Sequence, residues 1–164
     1  MPLTVSSAIS SATLSGGWLE KGHPSALAPG KRPRSTLSVG LATRDGEPYM
    51  VGGTPGGDQQ DQWNSQFFLR HAQFGMHLQE AIDAPAWHIA HFPASFWPRA
   101  ARPGVVGREV RIPTATITEL QRRGHLVEVG AAWSEGRLTA ASRDGVHRRA
   151  AANPCGMPGY AAGR

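Results

Sequence analysis

The stretch GTPGGDQQDQW, Gly53 to Trp63, sets three glycines and a proline directly before a polar run that reads as the start of a helix. Glycines there leave backbone N–H groups unobstructed at a helix N-terminus, where orphan donors and the helix dipole favour negative charge. Gly56 and Gly57 could hold an anion, or the oxyanion of an acyl-transfer intermediate. They could equally form a tight connection in which glycine only supplies positive φ, and on pattern alone that plainer reading is favoured. Four histidines follow: His71, His77, His88 and His91. His88 and His91 have metal-ligand spacing, but on a strand they would point to opposite faces, so no metal site is expected. Cys155 has no activating base in the sequence, which argues against a thiol nucleophile. The five tryptophans read as core and loop anchors rather than a stacking platform.

The elements that must position these residues belong to a chain of 164 residues, enough for one domain with a sizeable core. Twenty glycines and 13 prolines among 40% apolar residues point to a loop-rich α+β chain. Seventeen Lys and Arg against 12 Asp and Glu give a net charge of +5, a field that attracts acidic ligands and nucleic acid without specificity. The arginines are scattered, however, and no dedicated nucleic-acid surface is expected. One cysteine excludes an internal disulfide and fits a reducing compartment. Met1 to Ser7 lacks the basic and apolar regions of a signal peptide, and no later stretch approaches a membrane span, so the default expectation is cytoplasmic.

Strands are expected over Leu3–Thr13 and Thr36–Thr43, the latter turning at Asp45-Gly46 into Pro48–Val51. Asp58 is the expected N-cap of a helix whose Trp63, Phe67 and Phe74 share one face and which Gly75 ends. A short helix over Leu78–Ala84, strands over Trp87–Phe92 and Val105–Ile112, and a Thr-capped helix from Thr114 to Arg123 follow, with Gly124 as its C′ glycine. A strand at His125–Val129 and a hairpin over Arg137–Arg149 complete the chain. Antiparallel hairpins with helices on one face make this α+β rather than a regular βαβ alternation.

Five segments carry a resemblance: Gly22–Ser38, Arg44–Trp63, Phe74–His88, His91–Gly104 and Ala150–Arg164. In that order they resemble the C-terminal part of the small subunit of γ-glutamyltransferase family proteins, over most of the chain from Ser11 onward. The resemblance implies a part of an N-terminal-nucleophile hydrolase fold, a four-layer αββα sandwich, in which a precursor cleaves itself before a threonine. That threonine attacks the γ-glutamyl amide of glutathione or a relative with its own α-amine as base, which is the logic of a weak hydroxyl activated by a neighbour. By the same resemblance Ser35 and Thr36 bind the α-carboxylate of the γ-glutamyl group, Gly56 and Gly57 form the oxyanion hole, Thr13 supports the nucleophile, and Ser15 touches the glutamyl group.

The departures from the family pattern matter too. The threonine lies further upstream in the family than this chain extends, and the segment between Trp18 and Gly22 is shorter than the family's. Val39 stands where proline is usual, and Cys155 where arginine is. A single unit over 1–164 is expected, with 1–20 a remnant strand, 21–34 a loop and 35–164 the main body. It should need no cofactor, bind a γ-glutamyl compound only when complemented, and associate with a large subunit or itself. Alone, it is expected to be inactive, or else a catalytically silent remnant that binds a partner or small acids. A basic interaction module is the weakest alternative.

Overall fold

In a computed structural model, which describes residues 3–8, 22, 26, 29–30, 37–96 and 98–155, hairpin chemistry sets the larger sheet. Strands β2 (Val39–Arg44) and β3 (Glu47–Gly53) join through Asp45 and Gly46 at φ 54 and 83. Positive φ at both central residues gives the turn a twist that matches its strands. Strands β7 (Thr139–Asp144) and β8 (His147–Ala152) form a second hairpin, turning through Gly145 and Val146. Antiparallel pairing of β3 with β7, and of β1 (Leu3–Ala8) with β2, gives the order β1-β2-β3-β7-β8.

Helices α1 (Gln60–Ala72) and α2 (Leu78–Asp83) cover one face of that sheet. Ala42, Met50, Ala140 and Ala151 meet Phe67, Leu78, Ala81 and Ile82 there, and all eight are buried. The small residues of the sheet leave room for Phe67, whose Cε1 would lie 3.5 Å from a Cβ at Gly52. Phe74 does not join them and is 72% exposed. The N–H groups of Gln73 and Phe74 both turn back to the Leu69 carbonyl, so α1 ends before the third aromatic can follow its stripe.

The smaller sheet, β4 (Trp87–Ile89), β5 (Val105–Glu109) and β6 (Leu126–Gly130), is mixed. β4 runs antiparallel to β5, but β6 is parallel to it, with α3 (Thr114–Arg122) as the crossover that such a pair requires. Strand β4 has a free edge, and α1 closes it. Gln62 donates to the Ile89 carbonyl at 3.0 Å and accepts from the Ile89 N–H at 2.8 Å. One turn on, Gln66 does the same with Trp87, at 2.7 and 3.3 Å. Gln79 of α2 pairs likewise with both backbone groups of Ala152 at the end of β8.

The capping expectations need correction. A 3₁₀ turn over Gly57–Gln59 precedes α1, whose N-cap is Gln59 without a side-chain bond. Pro113, not Thr114, caps α3. His77 forms a capping box with Glu80 at the start of α2.

Candidate active site at the Gly56–Gly57 loop

The loop from β3 to the 3₁₀ turn is fixed at both ends. Thr54, buried, donates from Oγ1 to the Pro55 carbonyl at 2.8 Å and accepts from the Arg137 N–H at 2.7 Å. Asp58 is not the cap expected of it, because its carboxylate turns to Ser95, accepting the backbone N–H at 2.6 Å and the hydroxyl. Ser95 is fully buried, so this loop and the 92–96 segment are locked together. Between these anchors Gly56 sits at φ 141 and Gly57 at φ 63, conformations that L side chains rarely adopt. Neither glycine's N–H finds an acceptor among the described residues.

Each glycine faces a cavity. Gly56 borders one of about 740 Å³ between the ends of β2, β3, β7 and β8. Gly57 borders another of about 660 Å³ with Asp58, Gln62, His88, Phe92 and Arg102 on its walls. Leu37 and Ser38 line both, so the chain that follows Thr36 runs beside the glycine pair. Ser38 is held there by α1: its N–H donates to Gln60 Oε1 at 3.3 Å, and its carbonyl accepts from Asn64 Nδ2 at 2.8 Å. Thr13, Ser15, Ser35 and Thr36 lie outside the described residues.

Sequence reasoning missed Glu135. This buried carboxylate accepts from Trp63 Nε1 at 3.0 Å, and His88 Nδ1 lies 2.5 Å from the same oxygen. His88, itself half-buried, is therefore tied into a buried polar cluster, while His91 is exposed. The described residues hold no group of three or more His, Cys, Asp or Glu side chains suited to a metal ion. No described helix is long and apolar enough to cross a membrane. Arg102 and Glu128 form a bidentate pair at the rim of the Gly57 cavity, which holds the Glu128 carboxyl below the usual carboxylate range.

The profile of the family described as Gamma-glutamyltranspeptidase matches residues 6–163. The chain belongs to that family. Among curated γ-glutamyltranspeptidase relatives, the glutathione hydrolase-like YwrD proenzyme of Bacillus subtilis is 34% identical over 113 residues, 68% of this chain and 20% of that protein. The oxamate amidohydrolase proenzyme of Klebsiella pneumoniae is 37% identical over 117 residues, 71% of this chain and 21% of that protein. The chain thus spans about a fifth of the length of these relatives. Among solved structures, LmbA2991HD superposes with a TM-score of 0.84 at 55% identity, covering 91% of this chain and 27% of that one. The cephalosporin acylase of Bacillus halodurans gives 0.71 at 28%, covering 85% and 24%. The α+β class holds for this chain, whose fold matches a part of the N-terminal-nucleophile hydrolase architecture of these γ-glutamyltranspeptidase and acylase structures.

Proposed function

We propose that this protein takes part in acyl transfer from an amide, a γ-glutamyl amide such as glutathione in the first instance, to water or an amine. The observation that carries the reading is the Gly56–Gly57 pair, with two N–H groups unclaimed by any described acceptor and a cavity on each side. Those donors would take the negative charge that builds on the carbonyl oxygen as the tetrahedral intermediate forms, a contribution worth about 2.7–4 kcal/mol per donor in the transition state. Ser35 and Thr36 would bind the substrate α-carboxylate and Ser15 the rest of the glutamyl group. Thr13 would support a threonine nucleophile carried by a segment beyond these 164 residues, continuous with this chain or a separate subunit.

The named relatives support an amide as the common denominator, since glutathione hydrolase, oxamate amidohydrolase and cephalosporin acylase all denote cleavage of a C–N bond next to a carbonyl. A second reading is a silent remnant whose remaining task is to bind a partner. The exposure of Val39 and Leu41 on β2 and Val51 on β3, outside the helix-covered face, favours it.

The purified chain, assayed with γ-glutamyl-p-nitroanilide and oxamate, should release no product above background. Co-expression with a family segment carrying the threonine should restore turnover, and Gly56→Val should then remove it. Turnover by the chain alone would overturn the need for that segment. A complemented assembly that cleaves no amide would overturn the acyl-transfer reading and leave the partner-binding one.

A further inference from the structure

Among the buried charged groups, Glu135 is one the acyl-transfer reading leaves unused, and it lies beside the glycine pair through a single side chain. Its carboxylate accepts from Trp63 Nε1 at 3.0 Å, with His88 Nδ1 2.5 Å from the same oxygen and the two rings edge to face at 6.0 Å. A buried carboxylate bonded this way is costly to strip of its donors, so the Nε1 end of the indole is fixed. The rest of the ring sits in a slot between two glycines. A Cβ at Gly136 would lie 3.3 Å from Cδ2 of Trp63. One at Gly56 would collide with Cζ3 and lie 3.0 Å from Cη2.

The indole therefore occupies the volume that a side chain at position 56 would need, and it decides which side of Gly56 faces the core. That choice sets the direction of the peptide units on either side, and with it the direction of the Gly56 and Gly57 N–H bonds. The bond from the Arg137 N–H to Thr54 Oγ1 ties the same two segments together a second time, on the near side of the loop.

We propose that Trp63 and Glu135 are positioning residues for the Gly56–Gly57 N–H pair, with His88 holding the Glu135 carboxylate in turn. The proposal rests on the oxyanion reading of those glycines. Trp63 acts on the reaction through the loop and touches no reacting atom. Loosening it should cost transition-state stabilisation while leaving ground-state binding of the amide alone.

Two variants test this, Trp63→Phe, which removes the indole N–H, and Glu135→Gln, which keeps the shape and removes the charge that accepts both N–H groups. In the isolated chain, the amide order parameters of Gly56 and Gly57 should fall from about 0.85 toward 0.6 in Glu135→Gln, with Gly145 in the β7–β8 turn unchanged. In the complemented assembly, kcat should fall about tenfold to hundredfold at unchanged KM and unchanged active-site titre. Unchanged glycine order parameters, or a wild-type kcat in an assembly that turns over, would overturn the proposal. An assembly in which the wild type cleaves nothing would overturn the acyl-transfer reading, and the order parameters would then decide the positioning role alone. Should Trp63→Phe fail to fold, Glu135→Gln carries both measurements.

Discussion

At Gly56 a methyl group would meet both a backbone at φ 141 and the ring edge of Trp63 at Cζ3, whereas at Gly57 it would meet φ 63 and a contact of 3.4 Å with Phe96. The first site is closed by conformation and by packing, the second by conformation alone. Gly56→Ala should cost about 3 kcal/mol or more, combining strained backbone with an overfilled core. Gly57→Ala should cost about 1–2 kcal/mol, the usual penalty for a left-handed residue. Urea denaturation of the two variants measures the difference, and equal losses would show that Trp63 does not confine the loop. The glycines were legible in the sequence because a cluster of them before a helix is a local signal. Glu135 was not, since its bond to Trp63 spans 72 positions and nothing near either residue advertises it.

Elements are joined by polar groups that a hydrophobic period cannot reveal. Glu109 at the end of β5 is 1% exposed and is paired with Arg111, whose Nη1 also donates to the Asp83 carbonyl at 2.6 Å at the end of α2. Arg111 stacks on Trp133 with 3.6 Å between guanidinium carbon and ring centroid. Arg70 of α1 donates to the Ala84 and Pro85 carbonyls; burial lowers its pKa from the ordinary value, with Glu109 pulling the other way. This cluster fastens both helices to the smaller sheet. Glu109→Gln should destabilise the protein by about 3–5 kcal/mol, because it leaves a partly buried guanidinium without its counter-charge. Thermal denaturation measures it, and a loss under about 1 kcal/mol would mean that the pair is merely tolerated. The helices and hairpins were readable from periodicity and turn residues, with ends misplaced by a few positions. The parallel course of β6 was not, because alternation of side chains carries no information about strand direction.

Among the described residues, one face of the larger sheet is clothed by helices and the other is not. Leu41 stands opposite Val51, and Val51 opposite Ala141, across β2, β3 and β7. Leu41 and Val51 are 40% and 43% exposed, and with Val39 they make an apolar strip on the uncovered side. Such a strip invites a partner. The isolated chain should self-associate, and Leu41→Lys with Val51→Lys should raise the monomer fraction in light scattering without loss of helical signal. Association that persists in the double variant would place the contact elsewhere. This exposure was not legible in composition or periodicity, which say which residues are apolar but not which strand face stays outside.

The two glutamines of α1 that bond Trp87 and Ile89 engage both backbone groups of each residue. A strand arriving at that side of β4 would find every outward donor and acceptor already taken, although the strand carries no charged or proline guard. The smaller sheet is thus sealed on one flank and can lengthen only past β6. That gives the molecule a polarity in how it can be built upon: copies can stack against the bare sheet face, but they cannot string into a ribbon through β4.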